Sequence, residues 1–236
     1  MKTESPSVWH MYRAMVGIGL LCGLLIVSVF EWTRPIIAKN KAEALERAIL
    51  QVLPAADSSA AFRLGEDGRF ELHEGEAGNE PLVFAGYDGG KQLVGLAVEA
   101  QGMGYQDVIR VLYGYSFSDD AIVGIRVLDS KETPGLGDKI ETDPVFLENF
   151  KRLDVSLTAD AGSLAHAIEF AKSGQKNQPW QVDGITGATI SSKAIAGMLN
   201  ESAAYWVPRI RQHLDDFEAA GGPDNPRVKK REKVNP

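Results

Sequence analysis

The residues best suited to chemistry lie in one short run, Asp183-Gly-Ile-Thr-Gly-Ala-Thr189-Ile-Ser-Ser192. Small turn residues run here into a predicted helix, whose N-terminus presents unpaired backbone N–H groups and the positive end of a dipole. Such a place suits a phosphate. Thr186, Thr189, Ser191 and Ser192 supply hydroxyls, Gly187 permits close approach of another backbone, and Lys193 adds a cation in the first turn. The same residues also fit a purely structural pattern, in which Ser191 or Ser192 caps the helix.

A second cluster, Lys131-Glu-Thr-Pro-Gly-Leu-Gly-Asp-Lys139, follows a predicted strand and is too rich in Gly and Pro to extend it. It reads either as a tight loop or as a surface where backbone meets a flat ligand, with Glu132, Thr133 and Lys139 as polar partners. Other chemical signatures are missing. His10, His73, His166 and His213 show no metal-ligand or triad spacing, and no Walker loop, nucleophile elbow or dinucleotide fingerprint occurs. The single cysteine, Cys22, allows neither an intrachain disulfide nor a thiolate metal site. No catalytic residue and no metal site is expected.

The elements that must position these clusters follow from periodicity and charge. Arg13 and Glu31 bracket 17 uncharged residues flanked by Trp9, Tyr12 and Trp32, enough for a minimal membrane span with interfacial anchors. No small-x-small cleavage site follows, so the segment reads as an uncleaved signal anchor, while the flanking charges leave its orientation open. A bulky Leu21 before Cys22 argues against lipidation there. Apolar residues at helical spacing from Ala38 to Leu53 predict a juxtamembrane helix stopped by Pro54. Short strands are possible near Ala61–Leu64 and Phe70–Leu72. Leu82–Tyr87, Leu93–Ala100, Asp107–Phe117 and Ala121–Leu128, separated by turn residues, predict an antiparallel meander. Pro144–Phe150 and Leu164–Ala171 read as short helices. A long helix begins near Ser191, with Ile195, Met198, Leu199, Ser202, Trp206 and Ile210 on one face and Pro208 placed to bend or end it. The fold class is α+β.

With 236 residues, 44% hydrophobic and 24% charged, the chain has the balance of a folded protein. Residues 35–220 hold 17 Lys and Arg against 28 Asp and Glu, a net of −11, which argues against nucleic acid as a partner. Residues 221–236 reverse the sign, with Arg227, Lys229, Lys230, Arg231 and Lys233 against Asp224 and Glu232. That tail reads as a solvated terminus or as a contact with lipid or an acidic partner, and the first reading is the simpler.

The pair Glu-Thr-Pro-Gly-Leu-Gly-Asp-Lys-Ile (132–140) and Asp-Gly-Ile-Thr-Gly-Ala-Thr-Ile-Ser-Ser (183–192) resembles the FMN-binding domain of the G subunit of the Rnf (Rsx) ion-translocating electron-transport complex. The anchor, the meander and the order of the motifs are similar too, over residues 10–215. The resemblance implies FMN esterified through its phosphate to Thr189 by a dedicated flavin transferase, with Asp183, Thr186, Gly187 and Ala188 completing that motif. It further implies that the loop Glu132, Thr133, Pro134, Gly135, Leu136 and Gly137 packs on the flavin. On this reading residues 1–13 are a flank, 14–37 a single transmembrane helix, 38–54 a juxtamembrane helix, 55–218 the FMN-binding domain and 219–236 a disordered basic tail.

The implied function is electron relay in a ferredoxin:NAD oxidoreductase coupled to ion transport, beside other membrane and iron–sulfur subunits. The implied location is the bacterial inner membrane, with the domain on the periplasmic side. The related C subunit of sodium-pumping NADH:quinone oxidoreductase shares the flavin motif. An accessory flavin protein, or a scaffold domain with a capped helix, also fits the residues. Asp107 stands where similar sequences often carry Gly.

Overall fold

The computed structural model describes residues 8–73, 80–220 and 229–230. Residues 1–7 of the N-terminal flank, 74–79 of the poorly patterned stretch before the meander, and 221–228 and 231–236 of the basic tail lie outside the described residues. Val8–Val52 form one continuous helix, α1, that takes in both the predicted span and the predicted juxtamembrane helix and carries Pro35 within it. It is long and apolar enough to cross a membrane, and its large apolar side chains from Val8 to Ile37 are exposed. The helix ends just before Pro54, which cannot continue the hydrogen-bond ladder.

The chain divides into two compact units, 1–44 and 45–236. The second is built on an antiparallel sheet. Its central strands are β1 (Ser58–Leu64), β2 (Phe70–Leu72), β3 (Leu82–Tyr87), β4 (Leu93–Met103), β5 (Val108–Ser116) and β6 (Ala121–Asp129). β1, β3, β4, β5 and β6 lie side by side in that order, β2 pairs with β1, and Leu153–Asp154 (β7) closes the far edge. Lys229–Lys230 pair with Ser58–Ser59 at the other edge.

Both faces of the sheet are covered, so its strands read as unbroken apolar runs instead of alternating ones. Along β3, Leu82 and Phe84 belong to one apolar cluster and Val83, Ala85 and Tyr87 to the other. The smaller cluster receives the last turns of α1 through Ala48, Ile49, Val52 and Leu53. Here glycine is required by close approach: a Cβ at Gly114 would strike the Val52 carbonyl, and one at Gly124 would lie 2.9 Å from Val52 Cα. Cβ atoms at Gly86 and Gly95 would each come within 2.8 Å of Leu53. Four strands thus share a glycine trough in which the end of α1 lies.

The larger cluster fills the opposite face with α4 (Thr189–Gln212) and α5 (Leu214–Ala220). The predicted stripe holds: Ile195, Met198, Leu199, Trp206 and Ile210 are buried, and Ser202 meets the Tyr113 hydroxyl at 3.0 Å. Burial pushes the Tyr87, Tyr113 and Tyr115 phenols up. Pro208 lies within α4, which continues to Gln212.

The predicted helix at Leu164–Ala171 does not form. Leu164 bridges Leu157, and Glu169–Ala171 form a strand, β8, parallel to β9 (Gln181–Asp183). The amide of Ile168 donates to Asn200 Oδ1 on α4 at 2.9 Å, so a tertiary partner takes the place of a helical one. Between β6 and β7, Lys139–Thr142 (α2) and Pro144–Glu148 (α3) are short helices, followed by a 3-10 turn at Asn149–Lys151.

α5 is fixed to β2 by Asp216, whose side chain is 6% exposed. It accepts from the Arg69 guanidinium and from the Phe70 amide at 3.0 Å. Burial pushes this carboxyl up, but the hydrogen bonds from Arg69 and Phe70 and the Arg69 charge outweigh it, and it titrates below its ordinary value. A carboxylate depressed in the folded state adds stability that is fully present above its unfolded pKa of ~3.9 and is lost as pH falls through the folded value. Asp216→Asn is therefore expected to cost at least ~1 kcal/mol at neutral pH. In urea unfolding the gap to wild type should close in acid; a gap of constant size down to pH ~2 would contradict the assignment.

Candidate functional site

Thr189 is the first residue of α4, a 24-residue helix, and it is exposed. The N-cap position is Ala188, which offers no side-chain acceptor, so the first-turn amides remain available to an outside anion. Neither serine caps. Ser192 is fully buried; its hydroxyl donates to the Ala188 carbonyl at 2.9 Å and accepts from the Ile185 amide at 3.1 Å. Ser191 is turned inward and donates to Glu132.

The turn before α4 is Ile185-Thr186-Gly187-Ala188, closed by Ala188 N–H to the Ile185 carbonyl at 3.0 Å. Gly187 has φ +88° in its third position, the left-handed region that a side chain disfavours, and the space beside it is open. Thr186 and Gly187 are exposed, and Ala188 is buried. The second motif has the same construction. Thr133-Pro134-Gly135-Leu136 is closed by Leu136 N–H to the Thr133 carbonyl at 3.1 Å, with Pro second and Gly135 third at φ +78°. Pro134, Gly135 and Leu136 face outward, and Leu136 is 52% exposed.

Glu132 brings the two motifs together. It is 6% exposed, and its carboxylate accepts from Ser191 in the first turn of α4, 59 positions along the chain, and from the Gln106 amide at 3.0 Å. Gly137 lies against the same pair: a Cβ there would strike the Glu132 carboxylate and come within 2.9 Å of Ser191 Oγ. Thr133 adds a second tie, its hydroxyl donating to Gln106 Oε1 at 3.1 Å. The sequence pattern predicts that Glu132 faces a ligand, and it instead faces inward; the outward members of its loop are Pro134, Gly135 and Leu136.

Asp183 opens the motif, six residues before Thr189. Its Oδ2 accepts from the Gly174 amide at 3.0 Å, and its Oδ1 is buried with no partner among the described residues. Asn149 holds its backbone from both sides, accepting from Asp183 N–H and donating to its carbonyl, each at 3.0 Å. Lys176 donates to the same Asn149 at 3.1 Å, and burial lowers its pKa against the pull of Asp183. Asp183, Asn149 and Lys176, with Pro144, Val145 and Glu148, line a cleft.

Gln106, Asn149 and Lys176 carry no motif of their own in the sequence. The turn Gly104–Asp107 is visible there only as punctuation. The structure gives Asp107 a role: it pairs with Lys131, accepts from the Val108 amide, and is held below its ordinary pKa by both. An ion pair thus fastens the β4–β5 turn to the start of the 131–139 cluster.

The arrangement fits a flavin mononucleotide. The open amides, the exposed Thr189 hydroxyl and the nearby Lys193 suit its phosphate, and Leu136 and Ile190, each more than half exposed, offer apolar surface to its ring.

Comparison with known proteins agrees. The family model described as FMN-binding domain matches residues 104–204. The chain is 29% identical to the G subunit of an ion-translocating oxidoreductase complex from Methanosarcina acetivorans, over 86% of this chain and 96% of that one. It is 32% identical to a protein of the same name from Cereibacter sphaeroides, over 77% and 76%. Among solved structures, the C subunit of the Na(+)-translocating NADH-quinone reductase from Parabacteroides distasonis shares the fold, with a TM-score of 0.58 and 21% identity over 73% of this chain and 94% of that one. NqrC of Shewanella oneidensis does so with 0.54 and 18%, over 78% and 98%. The chain belongs to the family formed by the G subunits of ion-translocating oxidoreductase complexes.

Proposed function

We propose that this chain is a membrane-anchored flavoprotein subunit that relays electrons within an Rnf-type ferredoxin:NAD oxidoreductase coupled to ion transport, with FMN joined to Thr189 through a phosphoester. The observation that carries the proposal is an exposed Thr189 hydroxyl at an uncapped helix N-terminus, beside a loop held to that same helix turn by Glu132. The proposed attachment forms a bond between Thr189 Oγ and the flavin phosphorus and releases the hydroxyl proton. It needs a flavin nucleotide with a phosphoanhydride leaving group and a flavin transferase to catalyse the exchange.

Bound FMN supplies reversible transfer of one or two electrons. The chain's own residues hold and orient it. First-turn amides of α4 stabilise the phosphate charge, Gly187 keeps the approach to Thr189 open, and the Thr133–Leu136 turn offers a rigid edge to the ring. Asp183, firmly placed by Asn149, is assigned to recognition by the transferase. The partners are other membrane and iron–sulfur subunits of the complex. α1 anchors the chain in the bacterial inner membrane, with the flavin domain on the periplasmic side.

Co-expression of the full chain with a flavin transferase is expected to give a protein band that fluoresces after denaturation, and Thr189→Ala should abolish the fluorescence while leaving the circular dichroism unchanged. A fluorescent Thr189→Ala band would move the attachment elsewhere. Leu136→Ala should keep covalent flavin but change its absorption or midpoint potential. Unchanged values in both Leu136→Ala and Thr133→Ala would leave the loop without a part in ring binding. Protease added to spheroplasts should digest the domain; protection there, with digestion in inverted vesicles, would reverse the assigned side.

A further inference from the structure

Resting on the attachment to Thr189 proposed above, we infer that Glu132 is the positioning residue of the flavin site: one buried carboxylate sets the first turn of α4, the Thr133–Leu136 turn and the β4–β5 turn relative to one another. Three observations support this. Its two oxygens are divided between segments, one accepting from the Gln106 amide at 3.0 Å and the other from Ser191, two residues after Thr189. Its space is reserved by absent side chains, since a Cβ at Gly104 would lie 2.5 Å from one oxygen and a Cβ at Gly137 would collide with the other. Its backbone directly precedes the turn that presents Leu136, so it cannot shift without moving that turn.

The physical consequence is a coupling between attachment and ring environment. A carboxylate accepting two hydrogen bonds in a buried place fixes geometry more tightly than apolar packing, because leaving either donor unsatisfied is costly. Ser191 lies in the first turn of α4, so its bond to Glu132 ties that turn, and with it Thr189 and the first-turn amides, to the loop that presents Leu136. Glu132 is buried and faces inward, away from the exposed Pro134, Gly135 and Leu136 of its loop. Its negative charge nevertheless lies behind the ring loop, where it disfavours adding electrons to the ring.

The test compares full-length variants co-expressed with a flavin transferase, reading the flavin-to-protein ratio, the visible spectrum, the midpoint potential and thermal unfolding. Glu132→Ala is expected to lower the flavin-to-protein ratio at least threefold. Gly137→Ala should do the same with Glu132 still present, because its methyl group takes the carboxylate's space. Glu132→Gln keeps an acceptor for Gln106 and a polar group for Ser191; it should restore most of the ratio while moving the midpoint potential to a more positive value.

Folded Glu132→Ala and Gly137→Ala proteins with wild-type ratio, spectrum and potential would overturn the inference and leave the attachment reading intact. A wild-type chain without flavin would overturn both. If Glu132→Ala and Gly137→Ala fail to fold, Ser191→Ala decides, because it removes only the hydroxyl that Glu132 holds. A lowered ratio or altered spectrum in that variant supports the inference, and wild-type values overturn it.

Discussion

The proposed flavin site is held together by one buried contact, the Glu132 carboxylate shared between the Gln106 amide and the Ser191 hydroxyl. Without it the two motif segments, each a turn formed by its own Gly and backbone hydrogen bond, lose their direct polar link and are related only through the core that buries Ile140, Ile185 and Ala188. Local turn chemistry gives each segment its shape, and the long-range carboxylate gives the pair its geometry. The ion pair of Lys131 with Asp107 and the bond from Thr133 to Gln106 tie the 131–139 loop to the β4–β5 turn at the surface. Exposed pairs of that kind contribute little by themselves, so the buried member carries the constraint.

Beneath this lies the sheet, which serves the site by being rigid on both faces. α4 cannot rotate to release Thr189 because its inward stripe is buried from Ile195 to Ile210 and pinned at Ser202 to Tyr113. On the other face the glycine trough brings the end of α1 against β5 and β6, close enough that Val52 meets Gly114 and Gly124 backbone to backbone. Close packing of this kind tolerates almost no added volume.

What the sequence makes legible follows from how local each cause is. β3 is readable at both ends because residues buried on both faces form a continuous apolar run between turn signals, and the start of α4 is readable to within two residues because helix N-terminal chemistry depends on its immediate neighbours. Gly86, Gly95, Gly114 and Gly124 give no sign of a trough, since what they make room for is a helix end from another part of the chain. The stretch Leu164–Ala171 looks helical by composition, yet Asn200 on α4 takes the Ile168 amide. Glu132 is legible as important but not in its direction, because its partners lie 26 and 59 positions away. Gln106 and Asn149 are silent, since each acts by satisfying the polar groups of a distant segment.

The proposed phosphate site on a chain of net charge −7 is not a contradiction. The amides of α4 act at hydrogen-bond distance, whereas the acidic surface acts over lengths at which salt screens it, ~8 Å at physiological ionic strength. The most direct measurement of the central claim is mass spectrometry of the proteolysed chain after co-expression with a flavin transferase. The account predicts that the peptide carrying Thr189 gains the mass of FMN less one water, with fragmentation placing the addition on Thr189. Flavin located on another residue, or released intact on denaturation with an unmodified Thr189, would contradict it.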